Sequence, residues 1–309
     1  MKTKILIVGL GGVGGYYGGL LAKRYANDPE IEICFFARGE HLKKIQQNGL
    51  TVITETETFI VHSTLATDNI LEIGKADYVI LTTKSYDLES TIQQIMPCLE
   101  EKTVILPLLN GADISSQIRK SVPQNEVWDG CVYIVGRLNE PGVVESSGGV
   151  HDLFFGAENG SKSRLVMMDK LMKDAGIKSN LREDIRMVIW RKFIFISVTA
   201  SLTCYFNVGF RDLLTDDERK QTTMAFFREV TNVAKAEGIH FDSDIVETTI
   251  RHIERLPFET TSSMHRDFKA GRNAEIETLT AIVIQLGRQY GVETPHYEKV
   301  YESLNGKLK

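Results

Sequence analysis

The sequence predicts an α/β domain built on a doubly wound parallel sheet, followed by an all-α domain. Three observations carry this expectation. An apolar run, Lys4-Ile5-Leu6-Ile7-Val8, breaks into Gly9-Leu10-Gly11-Gly12-Val13-Gly14 and continues as Gly15-Tyr16-Tyr17-Gly18-Gly19-Leu20-Leu21-Ala22, which reads as strand, tight turn and helix. Strand-like and helix-like patterns then alternate through the first half. From about residue 180 the strand pattern almost disappears and long helical stretches take over. The expected boundaries are 1–180 for the α/β domain and 181–309 for the helical one.

In that strand-turn-helix setting, G-x-G-x-x-G is the fingerprint of a Rossmann-type dinucleotide site. Gly9 permits the turn, Gly11 lets backbone approach a pyrophosphate, and Gly14 lets the helix pack close to the strand. The helix N-terminus offers unpaired N–H groups to the phosphates, so Gly9, Gly11, Gly12, Val13 and Gly14 are the candidate cofactor-binding residues.

The remaining elements follow in order. Ile31–Ala37 is a second strand and His41–Asn48 a short helix, while Leu50–Ile53 with Thr58–His62 suggests a hairpin. Tyr78–Thr82 is a short apolar strand, Leu88–Leu99 a helical stretch, and Thr103–Leu108 a strand ending at Asn110-Gly111. Val127–Arg137 and Gly142–Phe155 read as longer strands joined through the turn signal Asn139-Glu140-Pro141-Gly142. Ser163–Ala175 is a helix closed by Gly176. Helical stretches follow at 183–206, 216–237, 242–255, 260–270 and 273–290, with breakers at Gly238, Pro257, Gly271 and Gly291 and a last short helix after Pro295. A dinucleotide domain followed by a helical domain leads us to expect a substrate cleft between the two.

Composition narrows the function classes. Apolar residues at 42% and charged residues at 25% are ordinary for a soluble globular protein. A net charge near −5, with no Lys/Arg block, argues against nonspecific nucleic-acid binding. The opening apolar run is about five residues and belongs to the first strand, so neither a signal peptide nor a membrane span is expected. Cys34, Cys98, Cys131 and Cys204 are scattered without a C-x-x-C pair, as expected of reduced thiols in a cytoplasmic protein. The seven histidines form no metal-ligand pattern, so no metal is expected. There is no internal repeat or low-complexity segment. The long apolar helices of the second half leave room for a homodimer.

Which dinucleotide binds is read at the end of the second strand. A carboxylate there accepts from a ribose 2′-hydroxyl, whereas an arginine accommodates a 2′-phosphate. Here Ile33-Cys34-Phe35-Phe36-Ala37 ends in Arg38-Gly39, and Glu32 comes too early to serve the ribose. NADP(H) is expected, with a solvated loop arginine as the plain alternative. Lys84 follows Leu81-Thr82-Thr83 at the ligand-binding edge of the sheet and is a second basic candidate, though it too reads equally as a loop lysine. Lys192 lies in Val188-Ile189-Trp190-Arg191-Lys192-Phe193-Ile194-Phe195-Ile196. Among such neighbours a lysine is desolvated, its pKa falls toward neutrality, and it can act as a general acid. The alternative is that Arg191 and Lys192 both snorkel to water.

The glycine run, Arg38, Thr83-Lys84, Asn110-Gly111, Trp190-Arg191-Lys192, Ser262-Ser263-Met264 and Gly271-Arg272-x-x-Glu275-Ile276 occur in this order. Together they resemble the ketopantoate reductase (2-dehydropantoate 2-reductase) family over essentially the whole chain. The resemblance implies NADPH-dependent reduction of ketopantoate to pantoate in pantothenate biosynthesis, with Lys192 protonating the carbonyl oxygen as hydride arrives. It implies that Asn110 sits near the nicotinamide ribose and the lysine. It also implies that Glu275 contacts substrate and orients the lysine, that Ser263 binds the substrate carboxylate end, and that Arg38 and Lys84 surround the 2′-phosphate. One departure stands out. Ile196 and Ala200 occupy positions, one and two turns beyond the lysine, where the family usually presents asparagines. Ser197, Thr199 and Ser201 lie nearby as partial substitutes, although Ser197 points about 140° away from Lys192 on an ideal helix. The alternatives are a related reductase of another small 2-oxo acid, or a non-catalytic NADP(H) sensor.

Overall fold

The computed structural model describes residues 2–241 and 244–307. The chain forms two compact units, residues 1–109 with 113–185 and residues 110–112 with 186–309.

In the first unit the chain runs β1 (Thr3–Val8), α1 (Gly12–Tyr25), β2 (Ile31–Phe36), α2 (Gly39–Asn48), β3 (Leu50–Ile53), β4 (Thr58–Val61), β5 (Leu65–Thr67), α3 (Ile70–Ile73) and β6 (Tyr78–Leu81). It continues through α4 (Leu88–Ile95), β7 (Val104–Pro107), α5 (Ile114–Ser121), β8 (Glu126–Val127), β9 (Asp129–Glu140), β10 (Val143–Gly156), α6 (Lys162–Asp174) and β11 (Lys178–Leu181). Six strands form a parallel sheet in the order β5-β2-β1-β6-β7-β8. Strand β1 is buried on both faces, as an interior parallel strand must be. Ile5 and Ile7 enter one core with Tyr17, Leu21 and Phe35, while Leu6 and Val8 enter another with Leu88, Ile92 and Ile118.

Val127, expected to open the strand to Arg137, instead ends β8 and pairs with Ile105 in the first sheet. The strands at 50–61 and 129–156 do not extend this sheet. They form a second sheet, β11-β10-β3-β4, in which β10 runs parallel to β3 and β11 and antiparallel to β9. The short strand β11 continues the α/β unit past residue 180, and Arg182 N–H still donates to Phe155 O at 2.8 Å. Helix α1 lies between the two sheets, and this accounts for glycines beyond the fingerprint. A Cβ on Gly18 would stand 3.2 Å from Ile7 of the first sheet. On Gly15 it would meet Val144 at 2.5 Å, and on Gly19 it would meet Val52 at 2.6 Å, both in the second sheet. On Gly12 it would overlap the backbone of Gly136 and Arg137.

The second unit is helical: α7 (Ile185–Phe206), α8 (Asp217–Ala236), α9 (Ile245–Arg255), α10 (Ser263–Lys269), α11 (Ile282–Tyr290) and α12 (Pro295–Lys307). Asp216, Asp244 and Ser262 cap α8, α9 and α10 by accepting backbone N–H groups. The helix expected over 242–255 begins at Ile245, and residues 242–243 lie outside the described ones. The stretch expected as one helix over 273–290 is helical without a break from Ile276 to Tyr290, but its first turn, Glu277–Ala281, is π-helical before α11. Among the described residues α7 alone is long and apolar enough to cross a membrane. Its Trp190, Phe193, Ile194, Val198 and Leu202 are buried against Phe226, Phe227 and Val230, so it reads as a core helix.

The sandwiched α1 makes a prediction. Ala at Gly12 meets backbone that cannot rotate away, so Gly12→Ala should lower the unfolding free energy by about 1–3 kcal/mol or more, the usual range for overpacking. Gly11 has open space where its Cβ would be, and Gly11→Ala should stay within about 0.5 kcal/mol. Urea melts of the two variants provide the comparison, and a parent-like Gly12→Ala would show that the second sheet does not need this approach.

Candidate active site

Three adjacent parallel strands end level with one another. Val8 of β1 is in register with Phe36 of β2 on one side and Leu81 of β6 on the other. The loops leaving these ends therefore share one edge, the edge where ligands of such sheets bind. The central loop is the glycine turn. Gly9 has φ of +89°, and a Cβ there would stand 2.9 Å from Thr83 Cγ2. Its N–H donates to Phe36 O at 3.1 Å, while Thr82 Oγ1–H is shared between Val8 O at 2.9 Å and Gly9 O at 2.5 Å. A Cβ on Gly14 would overlap Gly9 O, so the helix sits directly against the turn. Gly11 is exposed with nothing within 4 Å of its Cβ position, and Val13 is half-buried behind it.

This arrangement fits a dinucleotide. The N-terminus of α1 carries no acidic residue in its first turn, so its N–H groups and helix dipole meet an anion unopposed. Beside it the buried hydroxyl of Thr83 has no hydrogen-bond partner in the fold. Arg38 starts α2 with its side chain 81% exposed, and its Nη2 donates to Asp87 Oδ2 at 3.1 Å. Lys84 opens the turn after β6 that ends at Asp87.

The second cluster lies in the helical unit, which includes Asn110. Lys192 Nζ donates to Asn110 Oδ1 at 2.7 Å, although the two are 82 positions apart. Lys192 is half-buried, with Trp190, Phe193 and Ile194 buried around it and Arg191 exposed. Glu275 is buried, 5% exposed, at the entry to the π-helical turn. Ser263 is the first residue of α10 and half-buried; the neighbouring Ser262 supplies the cap, accepting from His265 N at 2.9 Å.

The hydroxyls of α7 do not replace the missing amides. Ser197, Thr199 and Ser201 are fully buried. Ser197 Oγ–H donates to Leu279 O at 2.6 Å and accepts from Tyr297 Oη at 2.9 Å. Ser201 pairs with Thr280 Oγ1 at 2.7 Å, and Thr199 returns its hydroxyl to Phe195 O at 2.8 Å. The serines thus join α7, which carries Lys192, to the π-helical turn that follows Glu275. Ile196 is half-buried and Ala200 fully buried, and neither offers a polar group.

Two features went unnoticed in the sequence. Asp87 answers Arg38 from another loop, and only its place three residues after Lys84 hinted at it. His265 stands two residues after Ser263, accepting from Thr261 Oγ1 at 2.6 Å and donating to Asn207 Oδ1 at 3.0 Å. Burial, with Lys269 and Arg266 nearby, holds its pKa below the ordinary histidine value, consistent with a neutral ring making both bonds. Among the described residues no group of three or more His, Cys, Asp or Glu is placed to hold a metal ion.

The clamp between α7 and the π-helical turn is open to test. Ser197→Ala leaves the buried Leu279 carbonyl and Tyr297 hydroxyl without their partner, so it should cost about 1–3 kcal/mol of stability in a denaturant melt. No loss would mean that water enters and replaces the hydroxyl.

Comparisons with known proteins bear on both halves of the chain. Residues 5–160 match the family model described as ketopantoate reductase PanE/ApbA, and residues 184–308 match the model of its C-terminal part. The chain is 27% identical over 302 residues to an uncharacterized oxidoreductase, YkpB, of Bacillus subtilis (strain 168), covering 97% of each chain. It is 26% identical over 321 residues to a 2-dehydropantoate 2-reductase of Mesorhizobium japonicum, covering 96% of this chain and 95% of that one. Among solved structures, 2-dehydropantoate 2-reductase from Porphyromonas gingivalis W83 is 34% identical, covers 98% of this chain and 99% of its own, and superposes with a TM-score of 0.86.

Proposed function

Since the chain belongs to the ketopantoate reductase family of oxidoreductases, we propose that it reduces a small 2-oxo acid with NADPH, and that this acid is ketopantoate, yielding pantoate. The observation that carries the reading is the Lys192–Asn110 hydrogen bond of 2.7 Å. A dinucleotide binder that only senses its ligand needs the glycine loop but has no use for an ammonium held at a fixed angle. On this reading the first unit binds the cofactor, the second carries the catalytic and substrate-binding groups, and the enzyme works in the cytoplasm.

Bound NADPH supplies a hydride to the carbonyl carbon. The protein's task is the oxygen, where negative charge grows as that bond forms. Lys192 meets this charge with an ammonium and gives up a proton to the oxygen, which stabilises the transition state more than the ground state. Asn110 Oδ1 accepts one N–H of Lys192, which fixes the direction of the side chain. Glu275 supplies the opposing charge that holds the lysine oriented and contacts the substrate. The Ser263 hydroxyl takes the carboxylate end of the substrate. Gly9, Gly11, Gly12, Val13 and Gly14 form the phosphate cradle, with Arg38 and Lys84 serving the 2′-phosphate.

Lys192→Ala should reduce turnover by about 10²–10⁴-fold, the usual range for a general acid, with NADPH affinity largely intact. Glu275→Gln should act in the same direction. Steady-state NADPH oxidation combined with cofactor titration tests both, and near-normal turnover of Lys192→Ala would remove it from the mechanism.

Ile196 and Ala200 favour a second reading, a reductase of a 2-oxo acid that lacks the hydroxyl of ketopantoate. Each missing hydrogen bond to a neutral group costs about 0.5–1.5 kcal/mol. Ketopantoate should therefore be reduced with a raised KM and with weakened discrimination against 2-oxoisovalerate. The measurement is kcat/KM for the two acids. A clear preference for 2-oxoisovalerate would establish the second reading, and a preference of several hundredfold for ketopantoate would show that other groups do the work of the amides.

A further inference from the structure

We propose that Asp87 sets the cofactor selectivity of this site by opposing a 2′-phosphate beside Arg38, so that NADPH is favoured less strongly than the arginine alone would allow. The inference rests on the reading of Arg38 as the group that meets the 2′-phosphate. Arg38 lies just beyond β2 and Asp87 at the end of the turn after β6, while the glycine loop leaves β1 between them. The 3.1 Å pair of Arg38 Nη2 with Asp87 Oδ2 thus joins the two loops that flank the phosphate cradle.

The two partners are held unequally. The Arg38 side chain is 81% exposed and that of Asp87 34% exposed. Asp87 immediately precedes α4, where the helix dipole favours a carboxylate, and its backbone N–H donates to Lys84 O at 3.0 Å. Asp87 is the anchored member and Arg38 the adjustable one. An exposed pair of this kind is too weak to shut the site. Its effect is one of charge. A phosphate monoester carries nearly two negative charges, and a phosphate on the open edge of the Arg38 fork stands roughly 6 Å from the Asp87 carboxylate, one guanidinium away. At that separation, at the dielectric constant of water and at a low ionic strength of about 0.01 M, the repulsion amounts to about a five- to tenfold loss in affinity, the condition in which the titrations are made. NADH presents a neutral 2′-hydroxyl instead, which a carboxylate accepts from rather than repels.

The test measures binding, not turnover, with NADPH and NADH titrated by fluorescence and 2′,5′-ADP and 5′-ADP by calorimetry. Asp87→Asn keeps the size and a carbonyl acceptor while removing the charge. It should tighten NADPH and 2′,5′-ADP about five- to tenfold, leave NADH and 5′-ADP within about twofold, and lose most of this difference near 1 M salt, where screening reaches about 3 Å. Arg38→Ala serves as the control for the underlying reading, and it should weaken NADPH and 2′,5′-ADP while leaving NADH and 5′-ADP unchanged. If Arg38→Ala behaves so but Asp87→Asn leaves the NADPH-to-NADH affinity ratio within twofold, or lowers it, Asp87 has no selective role and the proposal is overturned. If Arg38→Ala weakens both cofactors equally, Arg38 does not read the 2′-phosphate, and the reading and the proposal fall together.

Discussion

Helix α1 has a sheet on each side, and the packing of the first unit depends on how closely both can approach it. A helix with ordinary side chains keeps its neighbours about 10 Å away. Here Gly12, Gly15 and Gly19 face the second sheet and Gly14 and Gly18 face the first, so the helix backbone itself becomes the packing surface. The cost is conformational, because each glycine in a helix interior is worth roughly 1 kcal/mol less than alanine. The compensation is a core in which Tyr17 and Leu21 pack with Ile7, Phe35, Val52 and Val144 from two sheets. The same closeness presses the N-terminus of α1 against the turn at Gly9, which aims its free N–H groups at the ligand-binding edge.

The helical unit solves a different problem, that of holding polar groups inside an apolar bundle. Lys192 donates to Asn110 Oδ1 from 82 positions further along the chain. Ser197 bonds the carbonyl of Leu279 and the hydroxyl of Tyr297, and Ser201 pairs with the hydroxyl of Thr280. A π-helical turn widens the backbone by one residue and disturbs the regular hydrogen-bond ladder of a helix. The serine hydroxyls take up the slack. This accounts for two of the four buried hydroxyl residues of α7 between 197 and 203, while Thr199 and Thr203 return their hydroxyls to carbonyls of α7 itself.

The first sheet was legible in the sequence because its signals are local. An apolar β-branched run, a glycine turn and an amphipathic helix each announce themselves within about ten residues. The strands of the second sheet were legible as strands but not as a sheet. Thr51 pairs with Val143, and no local pattern states a partner 92 positions away. The extra glycines of α1 held that information, since the fingerprint alone does not require Gly15 or Gly19. In the site, Arg38 and Lys84 could be read from their place at strand ends. Asp87 could not, because its meaning depends on a partner 49 positions earlier. Lys192 stood out as a charge in an apolar stretch, whereas Asn110 taken alone was only a turn residue. That the hydroxyls at 197, 199 and 201 bond elsewhere, and do not stand in for the amides, is not legible in the sequence, because spacing gives a direction on a helix but not what fills the space there.

The enclosure of α1 also orders events during synthesis. Strands β1, β2 and β6 can pair once about eighty residues have emerged, and they give the helix a place to dock. Its other face waits for Gly136 and Val144, more than a hundred residues downstream. Until then a nascent chain presents a bare, glycine-lined helix face with no side chains to shield it. Contacts of such long sequence separation slow folding, because loop closure must precede any gain from packing. The glycines that let α1 pack against both sheets therefore make this helix among the last elements of the first unit to be fully covered.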